Sequence, residues 1–360
     1  MEPLRIAVVG CGAVAQLNHL PALASSRQAK AAVLVDRELS RAQSLARRWG
    51  VPRAVADVAE VRDVDAAIVA LPNHLHAPVT IELLRRGIPV LVEKPMAPTV
   101  AACDAMIAAA ADARVTLAVG LEFRFFDSTS TVRELLASEL VGPLTGFDLR
   151  QGVIPRWPFA TDFMLRKETA GGGVLADFGV HVLDLLLCWL GDWRDVSCAD
   201  DALGGLESDA ELRLTFASGL SGTVEVSRTR NLRNTCRFIG ERGVLEVGIW
   251  DPDPEITLHL PGSPEAPERR DVQLAAHARG GGQGMTFHDA FVRQLDDFAA
   301  AVRDHREPRV PGSEGRRAVA LVEACYSRRR PLALPWESPP ELASWIEPAA
   351  GAASPAEPPR

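Results

Sequence analysis

Residues 4–15 read Leu4-Arg5-Ile6-Ala7-Val8-Val9-Gly10-Cys11-Gly12-Ala13-Val14-Ala15. An apolar run that ends at a glycine, with a second glycine and a helical pattern behind it, predicts a strand–turn–helix unit. Gly10 permits the tight turn. Gly12 lets the backbone approach a pyrophosphate seated at the helix N-terminus, beside Ala13 and Val14. Ala15 takes the place where a third glycine is common, and a small side chain suffices there for close helix–strand packing. Asp36 ends the next strand, where a carboxylate accepts from adenosine ribose hydroxyls and repels a 2′-phosphate. That favours NAD, while Arg37 beside it leaves NADP open. A strand–turn–helix with no nucleotide is the plainer alternative on these residues alone.

Outward from this unit, apolar runs alternate with helical patterns. Ala31–Asp36, Ala66–Leu71, Val90–Val92 and Val115–Val119 read as strands. Ala13–Ser25 (interrupted at Pro21), Ser40–Trp49, Ala77–Arg86 and Thr99–Ala111 read as helices. Strands this apolar, separated by helices, predict a parallel sheet buried on both faces, and hence a doubly wound α/β domain over residues 1–121. Thr131–Ser138 and Gly173–Leu190 are again helical. From Asp195 to about Leu260 short strands follow one another through tight turns, which predicts a mostly antiparallel sheet in an α+β domain over residues 122–336. The helices Thr286–Arg303 and Ser313–Arg328 are assigned to that second domain, and residues 337–360 form a Pro/Ala-rich tail. An apolar outer face on the second sheet would make it a subunit interface, giving a homodimer or homotetramer.

A chain of 360 residues suits two domains, and 47% hydrophobic with 24% charged residues describes an ordinary globular core. The net charge of −8 speaks against nucleic acid or an anionic membrane surface as partner. The six cysteines contain no C-x-x-C pair and fit reduced thiols, with neither a disulfide framework nor a zinc site. No signal peptide and no bilayer-spanning apolar run is read, so a soluble, cytoplasmic protein is expected.

Two further segments carry groups suited to chemistry. Glu93-Lys94-Pro95 follows the strand Val90–Val92, at the carboxyl edge where open parallel sheets bind ligands, so Lys94 is placed to meet a nicotinamide. Pro95 predicts a sharp turn, with a cis bond as one form. A surface lysine in a proline turn is the alternative. In Gly171-Gly172-Gly173-Val174-Leu175-Ala176-Asp177-Phe178-Gly179-Val180-His181-Val182-Leu183-Asp184, helical spacing puts Asp177, His181 and Asp184 on one stripe. Polar groups on an apolar helix are costly unless paired or in use. A His181 held by a carboxylate is a candidate proton acceptor, and a satisfied core Asp–His bond is the alternative.

Other residues carry weaker signals. Arg124 and the pair Arg156-Trp157 are candidate substrate contacts. His74 and His76 lack the carboxylate or thiol partners of a metal site, so no metal is expected. His19 is read at the mouth of the nucleotide pocket or as a cap. Arg228, Arg230 and Arg233 either meet an anionic substrate or form a solvated edge, the simpler reading. Tyr326, the sole tyrosine, has no lysine behind it, which excludes a Tyr-x-x-x-Lys mechanism.

Together these residues resemble the Gfo/Idh/MocA family, named for glucose–fructose oxidoreductase and inositol dehydrogenase. The resemblance runs over roughly residues 4–336. It rests on the glycine segment, Leu71-Pro72-Asn73-His74-Leu75-His76, Glu93-Lys94-Pro95, Arg124-Phe125-Phe126, the Gly171–Asp184 run and the end of the last helix at Ala324-Cys325-Tyr326-Ser327. It implies a Rossmann domain, a larger domain with an open sheet, and an active site between them. By the same resemblance Lys94 orients the substrate hydroxyl and aids its deprotonation, His181 is the general acid/base, and Asp177 is the third polar group. Gly10, Gly12 and Asp36 would hold the dinucleotide, with Leu71, Pro72, Asn73, His76 and Glu93 lining its nicotinamide end. The implied reaction is hydride transfer between NAD, or NADP, and a secondary alcohol or ketone of a carbohydrate-like small molecule. A redox-neutral glycosidase or epimerase with tightly held cofactor, and a nucleotide-binding regulator without chemistry, are the competing functions. Two departures stand out: Met96 where leucine is common, and Glu122 where many relatives carry a neutral residue. Glu122 either alters substrate choice or pairs with Arg124, the reading preferred here.

Overall fold

The computed structural model describes residues 2–154, 161–202, 205–261, 270–274 and 284–333. Arg156, Trp157 and the tail 337–360 lie outside the described residues. The first sheet comprises β1 (Leu4–Val9), β2 (Ala29–Val35), β3 (Arg53–Val55), β4 (Ala66–Val69), β5 (Val90–Glu93) and β6 (Leu117–Gly120). All its pairings are parallel, in the order β3-β2-β1-β4-β5-β6. The order reverses between β1 and β4, and a crevice opens at the carboxyl ends of strands at such a point. Both faces are buried, as the continuous apolar runs require: Ile6 and Val8 enter one core cluster, Ala7 and Val9 the other. The three-residue strand β3 is too short to leave a periodic signal.

Two helices depart from expectation in instructive ways. The first does not break at Pro21: a π-helical turn at Ala15–His19 leads directly into the helix Leu20–Ser25, with Leu20 N–H bonded to Ala15 O. The third spans Asn73–Arg85, starting a turn earlier than Ala77, with Pro72 ahead of its first residue.

The second sheet runs β14-β13-β12-β11-β7-β10-β9-β8-β15. Its strands are β7 (Leu144–Gly152), β8 (Trp193–Asp200), β9 (Asp209–Phe216), β10 (Ser221–Ser227), β11 (Thr235–Gly240), β12 (Gly243–Gly248), β13 (Ile256–Leu260), β14 (Arg270–Leu274) and β15 (Arg329–Pro331). Only β7–β10 and β8–β15 pair in parallel among the described residues. The central strand β7 escapes a sequence reading because it contains Gly146 and ends on Gly152, and charged Asp148 and Arg150 alternate with buried Phe147, Leu149 and Gln151. The inner face packs beneath the helices Val180–Leu190 and Gly312–Ser327. The outer face is polar, which corrects the expectation of an apolar one: Arg150 meets Glu225 at 3.5 Å, Arg233 meets Asp148 at 3.0 Å, and Arg237 pairs with Glu246.

The stretch Lys167–Leu190 is long and apolar enough to cross a membrane by length and composition, contrary to the expectation of no such run. Its most apolar window is 72% buried in the protein, as a core helix over a sheet must be.

The helix Phe287–Asp304, grouped by sequence with the second domain, lies on the first sheet instead. Its Phe291, Leu295 and Phe298 share a cluster with Ile6, Leu23 and Leu34. Just before the helix Gly312–Ser327, Val310 O accepts from Val119 N–H at 3.0 Å, so this chain segment also covers the edge of β6. Removing the 1% exposed Phe298 ring leaves a void between helix and sheet. Phe298→Ala is expected to cost about 3–5 kcal/mol of unfolding free energy in urea titration, without a separate early transition. A loss below about 1 kcal/mol would mean that this helix does not complete the first core.

Candidate active site

The nucleotide side is built by backbone. Gly10 sits at φ +99°, and a Cβ there would run into the Ala70 carbonyl at the end of β4. Around Gly12 a Cβ would meet only open space, and Ala13 and Val14 are half-buried, so a bare lip of main chain faces the crevice. Ala15 is fully buried, as its packing role requires. Asp36, at the tip of β2, accepts from Cys11 N–H at 3.1 Å and Glu38 N–H at 2.9 Å. Its carboxylate also meets Arg41 at 3.2 Å, a cation that the sequence reading passed over because it lies a turn inside the following helix. Arg37 is exposed. The open cradle at Gly12 beside a strand-end carboxylate fits a dinucleotide.

The expected nicotinamide end divides into surface and support. Leu71, Pro72 and Asn73 are half-buried along the crevice, and Asn73 Nδ2 donates to Ala170 O at 2.7 Å. His76 has no exposed surface; its two ring nitrogens lie 2.8 Å from Pro95 O and Leu71 O, so it braces the loops from beneath. Glu93 is likewise buried and bonded to His19 Nε2 at 2.7 Å, which places His19 inside the fold rather than at a pocket mouth. His74 faces Thr169 O at 3.2 Å, and no cluster of metal-ligating side chains occurs among the described residues. The Lys94–Pro95 peptide is cis.

The chemical side meets it at the end of β5. Lys94 Nζ donates to Asp177 Oδ1 at 3.0 Å and to Asp177 O at 3.1 Å. Burial draws the Lys94 pKa down, but Asp177 and Glu122 outweigh it and hold the amine above its ordinary value, as a cation. Arg228 reaches the other Asp177 oxygen at 3.3 Å and lies over the Phe178 ring. This corrects the solvated-edge reading for Arg228; Arg230 is bound to Asp209, and Arg233 to Asp148 and Thr235.

His181 comes to the same place without pairing to Asp177. The chain from Leu175 to Gly179 is wound as a π-helical turn, whose i→i+5 bonding adds a residue to the turn and shifts the register of the side chains that follow. The His181 ring is 5% exposed and stacks on Phe123 at 4.5 Å. Burial, with Lys94 adding to it, pushes its pKa well below the ordinary histidine value, so the imidazole is neutral.

Asp184 and Arg124 leave the site altogether. Arg124 forks onto Asp184 at 2.6 and 2.7 Å and onto Glu314 at 2.7 Å, so its guanidinium is spent on structure rather than on substrate. Glu122, expected to pair with Arg124, turns the other way, with Oε2 3.7 Å from His181 Nδ1. Burial, then the neighbouring Glu93 charge, push its pKa up to about 8.

Glu207, which no local pattern marked, holds the turn that carries Asp177 in place. Its buried carboxylate accepts from Gly173 N–H at 3.0 Å, Leu175 N–H at 2.9 Å and Tyr326 Oη–H at 2.8 Å. A Cβ on Gly172 would collide with the Tyr326 hydroxyl and one on Gly173 with the Glu207 backbone, which explains the glycine run.

The structure thus sets an open main-chain turn at Gly12 at the carboxyl edge of the parallel sheet, and Lys94, paired with Asp177 and acting on His181, at the end of β5. Residues 4–121 match the oxidoreductase family with NAD-binding Rossmann fold, and residues 129–246 match the GFO/IDH/MocA C-terminal domain. Trans-1,2-dihydrobenzene-1,2-diol dehydrogenase of Mus musculus is 30% identical over 69% of this chain and 76% of that protein. The dTDP-3,4-didehydro-2,6-dideoxy-alpha-D-glucose 3-reductase of Streptomyces violaceoruber is 28% identical over 84% and 86%. Among solved structures, aldose-aldose oxidoreductase from Caulobacter crescentus complexed with glycerol superposes with a TM-score of 0.78 at 26% identity, covering 91% of this chain and 97% of that one. The chain belongs to the Gfo/Idh/MocA family of NAD(P)-dependent oxidoreductases.

The Arg124–Asp184 pair supplies a direct test of the structural assignment. Asp184→Asn leaves a buried guanidinium with half of its partners and is expected to cost about 3 kcal/mol in denaturant unfolding. KM for substrate stays unchanged in the folded fraction; a raised KM with full stability would return Arg124 to the substrate pocket.

Proposed function

We propose that the protein reversibly oxidises a secondary alcohol of a sugar, polyol or related cyclic metabolite, with Lys94 and His181 handling the hydroxyl proton. The observation that carries this reading is a cationic Lys94 at the end of β5 acting on a neutral, buried His181, with the open backbone at Gly12 on the same carboxyl edge of the parallel sheet. The dinucleotide, when bound, takes up or returns the hydride, and the protein must supply the proton chemistry. Lys94 holds the substrate oxygen and favours its alkoxide form as a fixed cation. Neutral His181 has a nitrogen free to accept the proton, which the imidazolium would not. Asp177, set between Lys94 and Arg228, keeps the ammonium aimed into the crevice.

NAD is the expected cofactor because Asp36 opposes a 2′-phosphate, while Arg41 softens that opposition enough to admit NADP with lower affinity. Residues 1–121 bind the nucleotide, residues 122–336 bind a carbohydrate-like substrate, and the enzyme works in the cytoplasm. Self-association to a dimer or tetramer would use the second sheet through polar, ion-paired contacts rather than apolar ones.

Methyl glucosides, D-xylose, myo-inositol and their keto derivatives form the first substrate panel, followed by absorbance of the reduced nicotinamide. His181→Ala and Lys94→Ala are each expected to lower kcat by roughly 10²–10⁴-fold. Nucleotide affinity, read by quenching of protein fluorescence, should stay within about threefold of wild type, a shift under 1 kcal/mol. Full turnover in both variants, or turnover with no net change in nicotinamide redox state, would overturn the dehydrogenase reading.

A further inference from the structure

His181 presents a chemical difficulty that its neighbours resolve. Its ring is buried, with Nδ1 lacking a hydrogen-bond partner among the described residues. Burial and the Lys94 cation both oppose a positive charge on the imidazole. A histidine whose surroundings disfavour the imidazolium is a poor place to leave a proton. It can pass one, if a proton leaves one ring nitrogen as another arrives at the second.

The group facing Nδ1 is the Glu122 carboxyl, Oε2 at 3.7 Å. A shift of roughly half an ångström brings that contact into hydrogen-bond range. Both side chains are held for it: the His181 ring is stacked on Phe123, the residue next to Glu122, and Glu122 itself is 8% exposed. We propose that Glu122 is the terminal proton store of the reaction, exchanging a proton with His181 Nδ1 while Nε2 exchanges one with the substrate oxygen. This rests on the reading of His181 as the acid/base.

The balance closes at each atom. In oxidation the hydroxyl proton moves to Nε2, the Nδ1 proton moves to the Glu122 carboxylate, and the C–H electron pair leaves with the hydride. In reduction the carboxyl gives its proton to Nδ1 and Nε2 gives one to the new alkoxide. His181 changes tautomer and stays neutral throughout, as its surroundings demand. Glu122 is suited to both directions because its carboxyl is pushed up to about 8, first by burial and then by Glu93. The charged groups acting on it are Glu93 and Lys94 at the end of β5 and Asp184 on the helix Val180–Leu190. Arg124, on its own turn, is bound away to Asp184 and Glu314.

The test needs no substrate at its first stage. In the NAD-bound protein labelled with 15N-histidine, the His181 resonances are assigned by their loss in His181→Ala. Below pH 7 Nδ1 is expected to be unprotonated, accepting from the carboxyl. Above pH 9 it is expected to carry the proton, donating to the carboxylate, with a midpoint near 8. Glu122→Gln should abolish the switch. The same titration appears in stability: a carboxyl with its folded pKa raised above the unfolded value stabilises the fold fully below the unfolded pKa and loses that contribution as pH climbs through about 8. Wild-type Tm should therefore fall relative to Glu122→Gln between pH 5 and pH 8.5.

At the second stage, with the panel substrate that turns over, wild-type oxidation rises with pH to a plateau above about 8 and reduction falls there. Glu122→Gln is expected to lose roughly 10- to 100-fold in kcat, less than the full worth of an acid/base group, and to lose that pH limb. KM and nucleotide affinity should be unchanged. A His181 tautomer that is constant from pH 6 to 9.5, or that switches equally in Glu122→Gln, overturns the proposal. So does kcat within twofold of wild type with the limb intact. Should His181→Ala remain active, the acid/base reading itself fails and takes the proposal with it. An inactive His181→Ala beside a fully active Glu122→Gln removes the relay alone.

Discussion

The ion pair between Lys94 and Asp177 is the contact around which the molecule is arranged. One partner ends the fifth strand of the parallel sheet; the other sits in a π-helical turn that caps the core helix of the second sheet. Both side chains are half-buried, and each compensates the hydration that the other gives up. Together they fix where the two bodies meet. The pair therefore lies at the carboxyl edge of the parallel sheet, where a doubly wound fold opens toward ligands.

Holding that pair in register falls to groups remote from the reacting atoms. Glu207 gathers two backbone amides and a tyrosine hydroxyl, so the turn carrying Asp177 is tied to the last helix of the chain. The glycines at 172 and 173 are there because no side chain fits against those ties. On the other side His19, Glu93 and His76 pack beneath the loop that carries Lys94, binding it to the first helix and to the loop after β4. Rigid support of this kind is what positions a catalytic group to within a fraction of an ångström.

Much of this was legible in the sequence because it is local. The glycine turn, Asp36 and Lys94 each lie at a strand end, and a strand end next to a helix start is written in consecutive residues. The first sheet was legible for the same reason, except for β3, where three residues carry no period. What could not be read depends on contacts between distant segments. Strand β7 owes its central place to partners some hundred residues later, and its own pattern is broken by glycines and charges. Arg124, Asp184 and Glu314 find one another across the whole second half of the chain, so the stripe Asp177–His181–Asp184 splits: Asp177 and His181 stay around Lys94 without pairing to each other, while Asp184 turns away to Arg124. A single wide helical turn undoes the spacing argument, and no residue type announces such a turn. The direction in which Glu122 points was equally hidden, because it follows from Arg124 being already occupied.

The helix Phe287–Asp304 also governs when the molecule can form. Ile6, Leu23 and Leu34 leave the ribosome at the start of synthesis, and the aromatic residues that cover them arrive near its end. At about 5–20 residues per second, that apolar face waits uncovered for roughly 15 seconds to a minute. Through that interval the nascent chain carries an unfinished sheet with an adhesive surface, so its yield in a cell depends on whatever shields that surface until the C-terminal helix comes back to close it.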